Sequence, residues 1–97
     1  MDNKFVNFCI KGNLKGIIKY IDKNKINIRI IELGFRCACG YGHKHIVEYL
    51  INLYKNNPTY TKINIHANEE EGFRWACYYG HLHIVKYLIN LHKIRQN

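Results

Sequence analysis

The sequence predicts an all-α chain, a solenoid of about three helix–turn–helix units stacked side by side. Three observations carry that prediction. The stretch "GFRCACGYGHKHIVEYLINL" (34–53) returns as "GFRWACYYGHLHIVKYLINL" (72–91), at a constant offset of 38 residues. A fixed period between about 20 and 50 residues marks a repeat array. Each copy sets a glycine between two amphipathic segments, and a weaker copy begins at Phe5.

The third copy shows how one unit is built. "FRWACYY" is too short to be a stable helix alone. "LHIVKYLINLHK" then places Leu82, Val85, Leu88 and Ile89 at helical spacing, which predicts a core-facing apolar stripe. Gly80 between them suits the left-handed residue that ends a helix, because it has no Cβ to clash. Ala76 and Cys77, like Ala38 and Cys39 in the second copy, are small side chains at the middle of the first helix. They allow close approach of neighbouring helices. No hairpin buries its stripe alone, so the units stack.

The first copy, "FVNFCIKGNLKGIIKYID", is degenerate, as terminal repeats commonly are. Cys9 aligns with Cys39, Gly12 with Gly42 and Asn13 with His43. After Gly16, with one residue skipped, Ile17-Ile18-Lys19-Tyr20-Ile21 echoes Ile46-Val47-Glu48-Tyr49-Leu50. The connectors share "KINI", at 25–28 and 62–65, whose alternation predicts extended backbone. The second connector, 54–71, carries Asn56-Asn57 and Pro58 as turn signals.

Ala76-Cys77-Tyr78-Tyr79-Gly80-His81-Leu82-His83-Ile84-Val85-Lys86-Tyr87-Leu88-Ile89 resembles the second half of the ankyrin repeat, Ala-Ala-x-x-Gly-His-x-x-Ile-Val-x-x-Leu-Leu. The resemblance implies one domain over 1–97, with repeats at approximately 3–31, 33–62 and 71–97, joined by hairpin-like fingers. One departure stands out. The family's Thr-Pro-Leu-His opening is replaced by Leu33-Gly34-Phe35-Arg36 and Glu71-Gly72-Phe73-Arg74. Pairs Arg36–Glu32 and Arg74–Glu70, spaced i,i+4, are expected in its place, contributing only a few tenths of a kcal/mol. The wording is similar to ankyrin variants of giant DNA viruses of amoebae. Ile, Asn, Lys and Tyr make up 46 of 97 residues, as AT-rich codon usage would give.

No stretch approaches 18 consecutive apolar residues, so no membrane partner is expected. The first residues lack a signal peptide's apolar region. An intracellular location is therefore expected, in the host cytoplasm if the chain is viral, with the four cysteines as free thiols. His43-x-His45, His81-x-His83 and Cys37-x-Cys39 invite a metal reading. Against it, His43 and His81 are turn residues, and Cys9, Cys39 and Cys77 share the small-residue slot. Equivalent positions on packed helices also lie roughly 10 Å apart, too far to share an ion. No metal or cofactor is assigned. There is no phosphate loop, HExxH or GxSxG, and no orienting group for a Cys–His pair, so no catalytic residue is assigned and the chain is read as a non-enzyme. Glu69-Glu70-Glu71 read as a solvated loop and helix start.

The resemblance implies a protein partner bound in the concave groove and by the fingers. Positions just before the inter-helix glycine face that groove, which selects Tyr41, Tyr78 and Tyr79; Glu70, Ala67 and Asn68 complete the candidate contact set. Trp75 and Cys37 share a semi-buried slot and are assigned to core packing. Two other readings stay open. The net charge is +8, with seven basic and two acidic residues in 1–31, which suits nucleic acid or another polyanion. Lys11, Lys15, Lys19 and Lys23 recur every four residues, but Gly12 interrupts them and they read as a solvated face. The chain also reads as a remnant of a longer array, marginally stable or self-associating through the uncovered side of its last hairpin.

Overall fold

The computed structural model describes residues 3–56 and 64–96. Among them are six helices and no strand, paired into three hairpins: α1 (Lys4–Lys11) with α2 (Leu14–Lys23), α3 (Ile28–Tyr41) with α4 (Lys44–Asn56), and α5 (Ala67–Tyr78) with α6 (Leu82–Gln96). The expected all-α solenoid is what the chain forms.

The three hairpins turn in the same way. Gly12, Gly42 and Gly80 take φ of 74°, 82° and 77°, the left-handed region that a side chain resists. The next residue's N–H then reaches back across the turn. Asn13 donates to Phe8 O at 2.9 Å, His43 to Ala38 O at 2.9 Å and His81 to Ala76 O at 2.8 Å. These bonds satisfy carbonyls that the helix end would leave open. The starts of α1, α2 and α3 are fixed by asparagine. The Oδ1 atoms of Asn3, Asn13 and Asn27 accept from the N–H of Val6, Gly16 and Arg29 at 3.0, 2.9 and 2.8 Å. Such a cap typically contributes about 1 kcal/mol.

Asn27 accounts for the first difference from expectation. It starts α3 at Ile28, well before the Leu33–Arg36 opening, so Ile28 of "KINI" is helical and only 24–27 links the hairpins. Four residues are too few for a finger of two strands. α5 likewise starts at Ala67, ahead of Glu71–Arg74, and α4 runs to Asn56, so the second connector is 57–66 rather than 54–71. Of its expected turn signals, Asn56 is the last residue of α4 and Asn57 and Pro58 lie outside the described residues; of the stretch 62–65 expected to be extended, Lys62 and Ile63 lie outside them and Ile65 is in a turn that leads into α5.

Stacking is closest between first helices. α1 packs on α3 and α3 on α5, whereas α4 only grazes α6. Small residues at the contact are the cause. A Cβ added to Gly34 would lie 2.5 Å from Phe5 Cε1 and 2.8 Å from Cys9 Sγ. At Gly72 it would lie 3.1 Å from Phe35 Cε2 and 3.4 Å from Cys39 Sγ. Phe5, Cys9, Phe35, Ala38, Cys39 and Ala76 are fully buried in one continuous core with Ile17, Ile46, Leu50 and Ile84. The lateral shielding inferred from the repeat pattern is therefore present, with one exception. Cys77 holds the place of Cys9 and Cys39 but is exposed, because no described residue packs over it.

The ion pair expected of Arg36 also differs. Arg36 Nε donates to Glu71 Oε1 at 2.9 Å, joining the second hairpin to the third, and Glu32 accepts instead from the N–H of Asn64 at 2.6 Å. The local i,i+4 partner gives way to one brought in by stacking, and both side chains of the new pair are largely covered.

Candidate partner-binding surface

The turn glycines do more than bend the chain. The His43 ring lies under Gly12, 2.7 Å from where a Cβ would stand, and its Nε2 donates to Ile10 O at 2.8 Å. His81 repeats this under Gly42, donating to Gly40 O at 2.9 Å. His45 Nε2 donates to Gly12 O at 3.2 Å. Both His-x-His pairs thus fall at an inter-repeat seam, and three of these four rings have a backbone acceptor. Among the described residues, no group of three or more His, Cys, Asp or Glu is arranged to hold a metal ion.

The cysteines are free. Burial pushes the Cys9 and Cys39 thiols up to about 12, with the neighbouring Cys37 adding to it. Burial also raises Cys37, opposed by the Arg36 guanidinium and reinforced by Glu71. Since the thiolate is the nucleophilic form, these groups serve packing.

Seating His81 under Gly42 brings the end of α5 beside the end of α3. There Gly40, Tyr41, Trp75 and Tyr79 line an open cleft of about 390 Å³. Tyr41 is 58 % and Tyr79 62 % exposed, while Trp75 is half-buried and forms the inner wall. Gly40 makes the space: a Cβ there would lie 3.1 Å from Trp75 Cε3. Tyr78 is 82 % exposed and lies outside the cleft, meeting Tyr79 edge to face at 4.9 Å between ring centroids.

Two of the three selected tyrosines therefore converge, Tyr41 and Tyr79, with Tyr78 at their flank. Trp75, assigned to the core from its slot, is a cleft residue. Its counterpart Cys37 is buried. The available signal lay in a difference between the copies: Cys37 becomes Trp75, and Tyr78 is answered by Gly40. Glu70 does not line the cleft. It has φ of 66°, and its carboxylate is held by His66 Nδ1, 2.9 Å from Oε2. Ala67 and Asn68 sit in the first turn of α5, and their side chains lie outside the described residues. No described helix is long and apolar enough to cross a membrane.

No curated protein and no solved structure matches the chain. A family model described as ankyrin repeats, in three copies, matches residues 6–97. That span takes in nearly all of the three glycine-turned hairpins, whose first helices stack and whose seams are closed by histidine, and on this ground the chain belongs to the ankyrin repeat family.

Proposed function

We propose that the chain is a protein-binding module that grips an apolar side chain of its partner between Tyr41, Trp75 and Tyr79. One observation carries this reading: three aromatic side chains meet around a glycine in an open cleft of about 390 Å³. That volume falls within the roughly 300–1,000 Å³ of ligand-holding clefts. Tyrosine and tryptophan offer large contact area with few torsions to freeze, and they dominate the energetics of many interfaces. Ankyrin repeats generally mediate protein–protein interaction and are typically non-catalytic. The stacked helices would hold the cleft rigid, with Tyr78 and the start of α5 (Ala67, Asn68, Glu70) at its margins. The same reading takes the chain to act inside cells, in the host cytoplasm if it is viral. Free thiols and the wording of the repeats support it.

Trp75 is the single tryptophan of the sequence, so its emission reports the cleft directly. Peptides selected against the full chain from a random displayed library are expected to share one aromatic or branched aliphatic residue. They should shift Trp75 emission on binding, and Tyr79→Ala should abolish the shift. Binding that saturates with unchanged emission would move the interface elsewhere.

A second reading has its own observation. Lys15, Lys19 and Lys23 are exposed and one helical turn apart on α2, a basic ridge that suits a polyanion. Filter binding of single-stranded DNA decides it. Affinity at about 50 mM salt that falls about twentyfold on reaching about 200 mM, as three phosphate contacts on a single strand would give, supports a phosphate-tracking ridge. Absence of binding at the lower salt removes it.

A further inference from the structure

The aromatic cleft belongs to a longer row. Lys11, Tyr41 and Tyr79 each stand immediately before the turn glycine of their hairpin, Gly12, Gly42 and Gly80. The two steps between hairpins are alike. His43 seats under Gly12 and donates to Ile10 O at 2.8 Å, and His81 seats under Gly42 and donates to Gly40 O at 2.9 Å. Lys11 therefore stands to Tyr41 as Tyr41 stands to Tyr79, one helix spacing of about 8–10 Å away. All three side chains are exposed. Between Lys11 and Tyr41 the place of Trp75 is taken by buried Cys37, so the row offers one aromatic cleft and, beside it, one cation. The surroundings are basic as well. Residues 3–21, 33–47 and 72–87, which carry the three turns, hold eight lysines and arginines and no aspartate or glutamate. Two of those cations are neutralised from outside these stretches, Arg36 by Glu71 at 2.9 Å and Lys44 by Glu48 at 3.3 Å. Lys11 has no ion-pair partner among the described residues.

We propose that the cleft takes an extended acidic segment of a partner protein, its aromatic or branched aliphatic anchor between the rings and a carboxylate three to five residues away paired with Lys11. This rests on the cleft reading given above and adds the charge, spacing and direction of what binds there. The spacing follows from the row. The middle of the cleft lies between Tyr41 and Tyr79, so roughly 10–15 Å separate it from Lys11. Extended chain covers about 3.3 Å per residue. The direction follows from the stack: Lys11 flanks the cleft only on the side of the first hairpin, so the acid belongs on one side of the anchor. A single strand of nucleic acid needs cations that follow its backbone. The row has one lysine and then two tyrosines.

Selections from one random displayed peptide library, on the full chain and on its Lys11→Glu variant, test this. Peptides selected on the full chain should share the anchor, shift Trp75 emission and carry Asp or Glu at one fixed position three to five residues from the anchor. Those selected on Lys11→Glu should keep the anchor and replace the acid by Lys or Arg. For one peptide selected on the full chain, Lys11→Gln should lower affinity about two- to fivefold and Lys11→Glu about tenfold. Lys23→Glu, at the far end of α2, should change it less than about twofold, because salt screens a charge at that distance. Lys11→Gln decides the affinities if Lys11→Glu does not fold. Peptides that share the anchor and shift the emission without any preference for an acid overturn this inference and leave the cleft reading standing. Equal losses from Lys11→Glu and Lys23→Glu overturn it too, since the preference would then follow net charge. Peptides without an anchor that leave the emission unchanged overturn both, as does a library that yields no binder. If single-stranded DNA displaces such peptides, the basic ridge of α2 is the site.

Discussion

Phe35→Ala is expected to lower the stability of the chain by about 3–5 kcal/mol, the range for deleting a buried ring from a packed core. A chain of this length has roughly 5–15 kcal/mol in all, so the variant should stand at the edge of unfolding at room temperature. The position is severe because of its place in the stack. Phe35 is fully buried on α3, the helix that touches both α1 and α5, and it lies under Gly72. Removing the ring opens a cavity against the next hairpin, and a glycine has no side chain with which to fill it. Phe73 occupies the same slot in the third hairpin but is only half-buried, so Phe73→Ala should cost less than half as much. Phe5 is fully buried with a neighbouring hairpin on one side, and its loss should fall between the two. Urea unfolding followed by far-ultraviolet circular dichroism gives the ranking. Trp75 emission in the same titration reports the seam between the second and third hairpins. A lowered slope with separated transitions would show that hairpins two and three uncouple once the central ring is gone. Equal losses at Phe35 and Phe73 would contradict stacking through the first helices.

What the sequence disclosed and what it hid divide along a physical line. The hairpins were legible because their determinants are local: a left-handed glycine, small residues before it, and an apolar stripe after it. The stack was legible because those features recur. Helix starts were not, since Asn27 caps α3 from within a stretch whose alternation reads as extended. The Arg36–Glu71 pair was hidden for another reason. It depends on how far one hairpin is displaced from the next, which spacing along the chain does not encode. Cys77 was assigned by analogy to Cys39, and analogy fails where the neighbour that buries Cys39 has no counterpart among the described residues. The cleft is the opposite case. Alignment of the copies draws attention to what they share, yet the cleft arises at two of the four positions at which they differ, Cys37 against Trp75 and Gly40 against Tyr78.

Tyr79→Ala and Tyr41→Ala are each expected to weaken partner binding by about 2–4 kcal/mol, roughly 30- to 1,000-fold in Kd. Both side chains are more than half exposed, so their loss should change stability by no more than about 0.5 kcal/mol. That separation is what makes them informative. Trp75→Ala should weaken binding at least as much, but the indole is half-buried against Gly40 and its removal also loosens the seam. Gly40→Ala tests the cleft without deleting any contact. Its new methyl would lie 3.1 Å from the indole, and the ring has to tilt into the cleft to make room. Affinity should therefore fall although every aromatic group remains. Tyr78→Ala, outside the cleft, should cost less than Tyr79→Ala despite the greater exposure of Tyr78. Because Tyr41 and Tyr79 line the same space, the double variant should lose less than the sum of the single losses. Peptide titrations by calorimetry across this series, with thermal melts alongside, give the order. If Tyr78→Ala costs more than Tyr79→Ala and Gly40→Ala costs nothing, the partner lies on the outer edge of α5 and not between the aromatic rings.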